Sequence, residues 1–513
     1  RDKVLYAGHP VAAVAATSVQ KAQDALALIE VEYEVLPHVI DVEDAMKPDA
    51  PVLHDFLRTG GVDPKPESAS NVASRLEFKL GDLDAGFAAA DVIVERTYKT
   101  KPVHQGYLEP HACLVSVAKD GQATIWSSSQ GHFMVRSATA IMTGLNVADI
   151  RAIPAEIGGG FGGKTIVYLE PLALIMARIS GFPVKMVMTR EEVFLATGPT
   201  SGSWNTVKIG ATKEGKITAA TATFRFQAGA FPGSPARPAA SCAFAPYEIE
   251  NVQAIGYDVV MNRPKSNAYR APGAPIAAFS VESAIDELAR KLGLDPVEFR
   301  LKNAAKEGTR AAYGPTFRKI GFVETLDAAK RHPHYSAPLG PNQGRGVASG
   351  FWFNVGGESS AQIHVNEDGT VTVITGHPDI GGSRASMVNI AAEMLGIDYN
   401  LVRAQIGDTN AIGISATTGG SRVTFAAGMA VTQVAEKVIL TLRERAAKIW
   451  DIDLDAVVWE NGEARPAGSN AGDFEPLSLA DLAAKAAATG GPIAGQISIN
   501  AQGAAPAFAT HIC

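Results

Sequence analysis

The strongest constraint on the fold is a pattern that occurs twice along the chain in the same order. In the first copy, a hairpin that turns at Asp120-Gly121 is followed by RSATAIMTGLNVADIRAI and then by a glycine-rich loop. In the second copy, a hairpin that turns at Asp368-Gly369 is followed by RASMVNIAAEMLGIDYNLVRAQI and another glycine-containing loop. Asp-Gly between alternating apolar residues is a strong hairpin signal. Each copy therefore predicts a hairpin, a helix and a strand, which places the chain in the α+β class.

The duplication also predicts positions that are equivalent in the two copies. These pairs are Arg136 and Arg384, Gly144 and Gly396, and Ile150-Arg151 and Val402-Arg403. Two related domains that face each other leave a cleft between them, and ligands bind preferentially in such clefts. We therefore expect the functional site where the two copies meet.

The remaining sequence suggests how the chain divides. We expect a partial small α/β domain and a linker over residues 1–70, a first duplicated domain over 71–335, and a second, incomplete one over 336–513. Near the start, VAAVAA (11–16) and VEYEVLP (31–37) predict strands, and Ser18 predicts the N-cap of the helix between them. The first residues enter almost directly as a strand, and the last, APAFATHIC, stop in an apolar extended run. We therefore expect a fragment that is truncated at both ends.

Charge and cysteine content exclude several classes of protein. The net charge is -7 with both signs interspersed, so no basic stripe supports nucleic-acid binding. No apolar run approaches the ~20 residues of a membrane span. The three cysteines lie far apart without a C-x-x-C pair, which excludes a zinc ribbon or a cysteine-ligated iron–sulfur cluster in this chain. Free cysteines are typical of a reducing compartment, so we expect a cytoplasmic protein.

The glycine-rich loop of the first copy, EIGGGFGGKT (156–165), matches two nucleotide-binding patterns. Residues Gly158–Thr165 fit G-x-x-x-x-G-K-[ST], the phosphate loop, and the same glycines fit G-x-G-x-x-G, the dinucleotide fingerprint. Against the phosphate loop, Phe161 places a bulky ring in the cradle, and no apolar strand ending in a metal-binding Asp is evident. Against the fingerprint, no acidic residue ends a strand ~20 residues further on. A phosphate-loop nucleotide hydrolase stays an alternative at this point.

Three other stretches share the character of this loop. They are SNAYRAPGAP (266–275), GHPDIGGSRAS (376–386) and TTGGSRVTFAAG (417–428). Each combines glycine and small residues with an arginine, a residue whose guanidinium offers a fixed fork of donors. We expect the four loops to converge on one large polar ligand. The alternative is four unrelated tight turns.

These stretches together resemble the molybdenum-cofactor subunit of the xanthine dehydrogenase and aldehyde oxidase family of molybdenum hydroxylases. The resemblance covers nearly the whole chain. It is carried by YAGHPVAAVAA with VEYEVLP, by IGGGFGGK (157–164), by AYRAPGAP (268–275) with the helical stretch 281–303, and by GDT (407–409) with TTGGSR (417–422). The order and spacing of these motifs are specific, and the resemblance implies a small α/β domain followed by two cofactor-binding domains.

The resemblance implies a set of residues that contact the cofactor. The main chain at Phe161 and Gly162 would face the apical oxygen on molybdenum, Arg270 would lie against the pterin or the metal, and Gln105 would lie near the metal. The other implied contacts are Gly160, Gly381, Gly419, Gly420 and Ser421. No protein side chain is expected to ligate the metal. The catalytic base, a glutamate in a late glycine-rich segment, is expected beyond Cys513, so this chain alone should not turn over.

The family's chemistry sets the remaining expectations. The cofactor would be molybdenum–molybdopterin, in its plain or cytosine dinucleotide form, and the reaction would hydroxylate an N-heterocycle or an aldehyde with oxygen from water. Electrons would leave through a 2Fe-2S subunit and an FAD subunit, in a hetero-oligomer such as a heterotrimer. Thr165 disfavours xanthine and Ala271 argues against carbon monoxide as the substrate. A catalytically silent scaffold homologue is a further alternative.

Overall fold

In the computed structural model, residues 3–513 are described. They form eighteen strands and fifteen α-helices. The strands are β1 (Val72–Leu80), β2 (Val92–Thr100), β3 (Ala112–Val117), β4 (Ala123–Ser127), β5 (Ile150–Pro154), β6 (Val184–Val187), β7 (Ser203–Ala211), β8 (Ile217–Gly229), β9 (Asn251–Val260), β10 (Val347–Trp352), β11 (Gly357–Val365), β12 (Val371–Thr375), β13 (Val402–Ile406), β14 (Val457–Glu460), β15 (Glu463–Pro466), β16 (Leu477–Ser478), β17 (Ala494–Ala501) and β18 (Ala507–Ile512). The helices are α1 (Val19–Leu26), α2 (Val42–Ala45), α3 (Leu83–Ala88), α4 (His132–Thr143), α5 (Glu170–Ser180), α6 (Arg190–Ala196), α7 (Ala236–Cys242), α8 (Ala274–Leu292), α9 (Pro296–Asn303), α10 (Phe322–Arg331), α11 (Pro333–Ser336), α12 (Ser383–Leu395), α13 (Gly428–Trp450), α14 (Leu479–Ala484) and α15 (Ala486–Thr489). The predicted α+β class is confirmed.

The chain forms two compact units, and each is built from separate stretches of sequence. The first unit comprises the residues up to Gly106, Arg190–Asn354 and Ala505–Cys513. The second unit comprises Tyr107–Thr189 and Val355–Ala504. These compact units differ from the predicted contiguous domains, whose boundaries lie at residues 70 and 335. Those domain boundaries stay a prediction.

The first unit is built on a five-stranded sheet of order β1-β9-β8-β7-β2. Its strands pair antiparallel except β8 with β9, which run parallel. Side chains alternate between the two faces of β8, so Phe224 and Phe226 both point into the core, where they are fully buried. Helix α8 covers this face with Val281 and Ile285. The burial of these large apolar side chains is the main stabilising contribution of the unit.

The segment before β1 departs from the sequence prediction. Ser18 caps α1 as predicted, since its hydroxyl accepts a hydrogen bond from the main-chain N–H of Lys21. The strands predicted over residues 11–16 and 31–37 are wrong, because both stretches are irregular. A strand needs a hydrogen-bonding neighbour, and within residues 3–513 no strand pairs with either stretch. Their apolar side chains stay in solvent, with Val35 85% exposed.

The second unit contains two four-stranded sheets of the same topology, with orders β5-β4-β3-β6 and β13-β12-β11-β17. In each, an antiparallel hairpin is followed by a helix and by a strand that pairs parallel to the second hairpin strand. The hairpins turn at Gly121 and Gly369 with φ of 92° and 81°, a conformation that glycine adopts without strain. The predicted duplication is confirmed, and both copies lie in one unit.

Two of the three predicted equivalences hold. Gly144 and Gly396 each end the helix of their copy in a left-handed conformation, and β5 and β13 start at Ile150 and Val402. The pairing of Arg136 with Arg384 is wrong by one helical turn. Arg384 stands twelve residues before its helix-ending glycine, whereas Arg136 stands eight before its own. Arg384 therefore corresponds to His132, and the shared arginine letter misled the alignment.

One helix among the described residues, Val423–Trp450, is long and apolar enough to cross a membrane by length and composition alone. It begins with a π-helical turn over Val423–Ala427 and continues as α13. Val431, Val434 and Leu442 on this helix are fully buried against the sheet that contains β11. The apolar face is therefore covered by protein, as in the core helix of a globular domain.

Candidate functional site

The glycine loop of the first copy, residues 158–164, follows β5 and has an unusual backbone. Gly159 and Gly162 have φ of 96° and 108°, and Phe161 between them has φ of 53°. A left-handed conformation costs a non-glycine residue about 1–2 kcal/mol, so the surrounding contacts must hold Phe161 in place. Its ring is 46% exposed, so burial of the ring does not provide that force.

The side chain of Gln130 holds this loop. Its Oε1 accepts hydrogen bonds from the main-chain N–H groups of Gly162 at 2.9 Å and Lys164 at 3.2 Å. Its Nε2 donates to the main-chain oxygen of Thr418 at 2.8 Å, in the glycine loop of the second copy. A Cβ on Gly160 would lie 2.6 Å from Gln130 Oε1, so only glycine permits this approach. One buried amide therefore joins the loops of both copies.

The main chain of Gln130 repeats the connection. Its N–H donates to the carbonyl of Lys164 at 2.9 Å, and its carbonyl accepts from the N–H of Thr418 at 2.8 Å. The sequence prediction missed Gln130. The only local signal was its position between the end of β4 and the start of α4, at the edge of the sheet where the glycine loop also begins.

The side chain of Lys164 is buried inside the protein. Its ammonium group is fully buried, forms an ion pair with Glu109, and lies 3.4 Å from the carbonyl oxygen of Pro110. A phosphate-loop lysine must reach the phosphates, and the helix must start directly after it. Here α5 starts only at Glu170. The phosphate-loop alternative is therefore wrong.

The glycine loop of the second copy, residues 417–422, has a similar backbone. Gly420 and Ser421 have φ of 71° and 61°, and the carbonyl of Gly420 accepts a hydrogen bond from the N–H of Val355 at 3.0 Å. Gly419 faces open space, since an added Cβ would have no neighbour within 4 Å. Arg422 closes the loop by donating to the carbonyl of Glu358 at 2.8 Å. A π-helical turn follows, a feature that recurs at functional sites.

A third loop, residues 376–384, leads into α12. Gly381 and Gly382 are both left-handed. The carboxylate of Asp379 accepts from Arg384 Nε at 2.7 Å and from the hydroxyl of Ser383 at 3.1 Å. Burial alone would raise the pKa of Asp379, but the hydrogen bonds from Arg384 and Ser383 outweigh it and lower the pKa. Arg384 also pairs with Glu156 at 2.9 Å, which ties this loop to the start of the first-copy glycine loop.

Two histidines near these loops are buried: His132 starts α4, two residues after Gln130, and His377 lies in the third loop. Burial lowers the pKa of His132 to about 4, and Arg136 opposes its charging while Asp408 favours it. Burial, followed by the charges of Arg422 and His132, lowers the pKa of His377 to about 3. His377 Nε2 lies 3.0 Å from the hydroxyl of Ser359. Both rings are therefore neutral at physiological pH.

The remaining predicted site residues belong to the first unit. Gln105 is buried, and its Nε2 donates to the carbonyls of Gly198 at 3.1 Å and Ala268 at 2.7 Å. Its Oε1 is buried and has no hydrogen-bond partner within the described residues. Arg270, two residues after Ala268, is exposed. Gln105 thus lies against the loop of residues 266–275, and the contacts predicted for it and for Arg270 stay predictions.

The second unit brings most of the predicted site residues together. Gln130 joins the loop of Gly160, Phe161 and Gly162 to that of Gly419, Gly420 and Ser421, and Arg384 ties in the loop of Gly381. Two polar atoms of the second-copy loop, Thr418 Oγ1 and Arg422 Nε, are buried without a partner in residues 3–513. In the same range, no group of three His, Cys, Asp or Glu side chains could hold a metal ion. Open glycines and unpaired polar side-chain atoms suit a ligand rich in oxygen.

Comparison with known proteins agrees with this geometry. Residues 65–304 and 324–513 each match a family described as molybdopterin cofactor-binding domain. The chain is 31% identical over 492 residues to a probable hypoxanthine oxidase of Escherichia coli, covering 85% of this chain and 51% of that protein. It is 31% identical over 334 residues to the nicotinate dehydrogenase large molybdopterin subunit of Eubacterium barkeri, covering 64% of this chain and 75% of that protein. The chain thus spans about half the length of the first of these relatives.

Solved structures show the same architecture. The quinoline 2-oxidoreductase of Pseudomonas putida 86 matches with a TM-score of 0.86 at 23% identity, covering 97% of this chain and 66% of that chain. The aldehyde oxidoreductase of Desulfovibrio gigas matches with a TM-score of 0.79 at 26% identity, covering 94% of this chain and 51% of that chain. The first of these likenesses concerns the fold alone.

Proposed function

The chain belongs to the molybdopterin cofactor-binding family, and from this membership we propose that it holds molybdenum–molybdopterin in a molybdenum hydroxylase. The resemblance read from the sequence motifs is thereby confirmed at the level of the family. The observation that carries the proposal is the bridge made by Gln130 between the glycine loops of the two copies. This bridge supports the proposal because it holds main-chain groups of both copies next to each other, where one ligand would contact both.

The residues of the second unit fit the group. Gly160, Phe161, Gly419 and Ser421 lie on loops whose left-handed or open backbone leaves room for close approach. The N–H of Gly162 is already bonded to Gln130, so Gly162 contributes its conformation rather than a free donor. Gly381 and Gly420 belong to the same set of loops. We propose that all these residues, together with Gln105 and Arg270, contact the cofactor.

When bound, the molybdenum group would accept two electrons from a substrate carbon that gains an oxygen atom from water. This chain's residues would hold and orient the group and keep the loops rigid around it. We infer that the base is a glutamate outside residues 1–513 and that a 2Fe-2S subunit and an FAD subunit take the electrons. The complex would be a cytoplasmic hetero-oligomer, and the pterin would be in its plain or cytosine dinucleotide form.

The substrate class we propose is an N-heterocycle or an aldehyde. Relatives carry names that refer to nicotinate, nicotine and aldehydes. In the sequence, Thr165 argues against xanthine as the substrate, and Ala271 argues against carbon monoxide. Ala271 has φ of 56°, so the backbone there is as constrained as at Phe161. Within residues 3–513, no feature favours the alternative of a silent scaffold.

The test measures molybdenum and pterin in the full-length protein purified with its neighbouring subunits. We expect stoichiometric molybdenum, a pterin that is released by acid and fluoresces after oxidation, and no binding of ATP. A released cytidine nucleotide would identify the dinucleotide form. Protein that contains neither molybdenum nor pterin would overturn the proposal, and loaded protein without activity toward aldehydes and N-heterocycles would support the scaffold.

A matched pair of variants locates the site. An added Cβ meets no atom within 4 Å at Gly419 or at Gly344, and neither glycine has a positive φ, so valine should be tolerated at both. Gly419→Val would place its side chain in the proposed binding space, whereas Gly344 lies in an exposed loop of the first unit. We expect Gly419→Val to fold normally without molybdenum and Gly344→Val to retain it. Equal molybdenum in both would move the site elsewhere.

A further inference from the structure

The proposed function leaves the buried charge of Lys164 unexplained. Lys164 is fully buried at the end of the first-copy glycine loop, while its partner Glu109 is 31% exposed. Burying an ammonium group costs several kcal/mol unless a partner compensates it, so the pair is not an incidental surface contact. Lys164 is also the residue whose identity suggested a phosphate loop.

Glu109 contacts the opposite end of the same loop. Its carboxylate oxygen Oε2, which pairs with Lys164, also accepts a hydrogen bond from the main-chain N–H of Gly158 at 2.8 Å. The main-chain N–H of Glu109 donates to the carbonyl of Gly158 at 3.2 Å. A Cβ on Gly158 would lie 2.5 Å from the Cβ of Glu109, so only glycine allows this double contact. One carboxylate therefore joins the first and last residues of the loop.

The layer beneath the loop is polar and closely packed. The ammonium group of Lys164 lies 5.2 Å from the ring centre of Tyr107, whose hydroxyl lies 2.7 Å from Nε2 of His111. Tyr107 and His111 are both buried. This layer supports the loop from below, while Gln130 holds its second half from the side.

We propose that Glu109 and Lys164 are positioning residues that hold the glycine loop in its binding shape before the cofactor arrives. Fixing both ends of a short loop reduces the conformations open to its middle, and this keeps Phe161 left-handed. Preorganisation of this kind improves binding by reducing the ordering that binding would otherwise require. The inference rests on the proposed function for the identity of the ligand, but the ordering of the loop does not depend on it.

The first measurement is hydrogen exchange of the loop amides in the complete complex. Glu109→Gln keeps an acceptor for the N–H of Gly158 but loses the charge that pairs with Lys164, whereas Glu109→Ala loses both. We expect protection of residues 158–163 to decrease in the order wild type, Glu109→Gln, Glu109→Ala. A merely structural role would lower the melting temperature without this graded, local loss of protection.

The second measurement is molybdenum content, with the same order expected and a several-fold loss in Glu109→Ala. The double variant Lys164→Met with Glu109→Gln removes both charges at similar volume and serves if Glu109→Ala does not fold. It should fold, retain partial protection and bind less molybdenum than wild type. Glu298→Gln, in an exposed ion pair with Lys330, is the control and should change neither measurement.

Wild-type protection and wild-type molybdenum in Glu109→Ala would overturn the positioning role. Wild-type protein without molybdenum would instead overturn the proposed function, and the exchange measurement would still decide whether the pair orders the loop. Uniform loss of protection across the whole second unit in the double variant would also contradict the inference, because it would show a general role in folding.

Discussion

The side-chain oxygen of Gln130 lies 2.9 Å from the main-chain nitrogen of Gly162 and accepts its hydrogen bond. The same side chain donates to Thr418 in the other copy of the repeat, 288 residues away in sequence. Gln130 is only 4% exposed, so its side chain has little access to water. The two glycine loops are therefore joined through one residue, by its side chain and by its main chain.

We expect Gln130→Ala to destabilise the second unit and to remove molybdenum. The substitution leaves the buried N–H of Lys164 and the half-buried N–H of Gly162 and carbonyl of Thr418 without their side-chain partner, which costs about 3 kcal/mol in the free energy of unfolding. Urea unfolding would measure the stability, and metal analysis the molybdenum. Gln122→Ala, at an exposed amide in the first hairpin turn, is the matched control and should change neither.

The left-handed backbone of Phe161 gives a prediction about strain. Phe161→Gly and Phe161→Ala both remove the exposed ring, but only glycine adopts φ of 53° freely. We expect Phe161→Gly to be more stable than Phe161→Ala by about 1 kcal/mol in the free energy of unfolding of the cofactor-free protein. Equal stability of the two variants would show that the loop relaxes out of this conformation without its ligand.

Local signals explain which parts of the fold could be predicted from the sequence. The hairpins at Gly121 and Gly369 and the helix ends at Gly144 and Gly396 depend on a few neighbouring residues, and the duplication made each signal visible twice. The strand pattern of residues 31–37 was equally clear but wrong. A strand is completed by a neighbour that the local sequence does not contain.

The contacts that shape the site depend on distant residues and escaped prediction for that reason. Gln130 gains its role only because the fold brings it to Gly162 and Thr418. Lys164 matched a nucleotide motif, and only its buried contact with Glu109 shows a different role. Glycines were easier to predict, because a position that needs a positive φ or a close approach of the backbone favours glycine over other residue types.

The first unit contains a buried ion pair that should be costly to break. Arg300 and Glu282 are 0% and 7% exposed, and Arg300 donates to the Val347 carbonyl of β10 at 2.8 Å. Glu282 also accepts from the hydroxyl of Tyr247 at 2.5 Å. We expect Arg300→Met to lower the free energy of unfolding by about 3–5 kcal/mol, because the Glu282 carboxylate is left without its countercharge.

The exposed pair of Lys330 and Glu298 provides the control for that variant. Both side chains are 48% exposed, and surface pairs contribute about 0–1 kcal/mol. Lys330→Met should therefore leave the urea midpoint nearly unchanged. A loss of stability in Lys330→Met as large as that in Arg300→Met would show that burial does not set the cost of breaking the pair.

The buried histidines of the second unit predict how stability depends on pH. Burial lowers the pKa of His132 to about 4 and that of His377 to about 3, whereas an unfolded histidine titrates near about 6.5. Between about pH 6.5 and these lower pKa values, each of the two histidines binds a proton in the unfolded chain but not in the folded chain. Stability therefore falls as the pH drops below about 6.5, and the contribution of His132 to this loss ends near about pH 4 after up to about 3 kcal/mol.

His132→Gln removes one titrating group, so unfolding in urea at pH 7, 6 and 5 should show a shallower loss of stability than in wild type. The exposed His334→Gln should follow the wild-type curve, and a His132→Gln curve as steep as wild type would mean that this ring is charged in the folded protein.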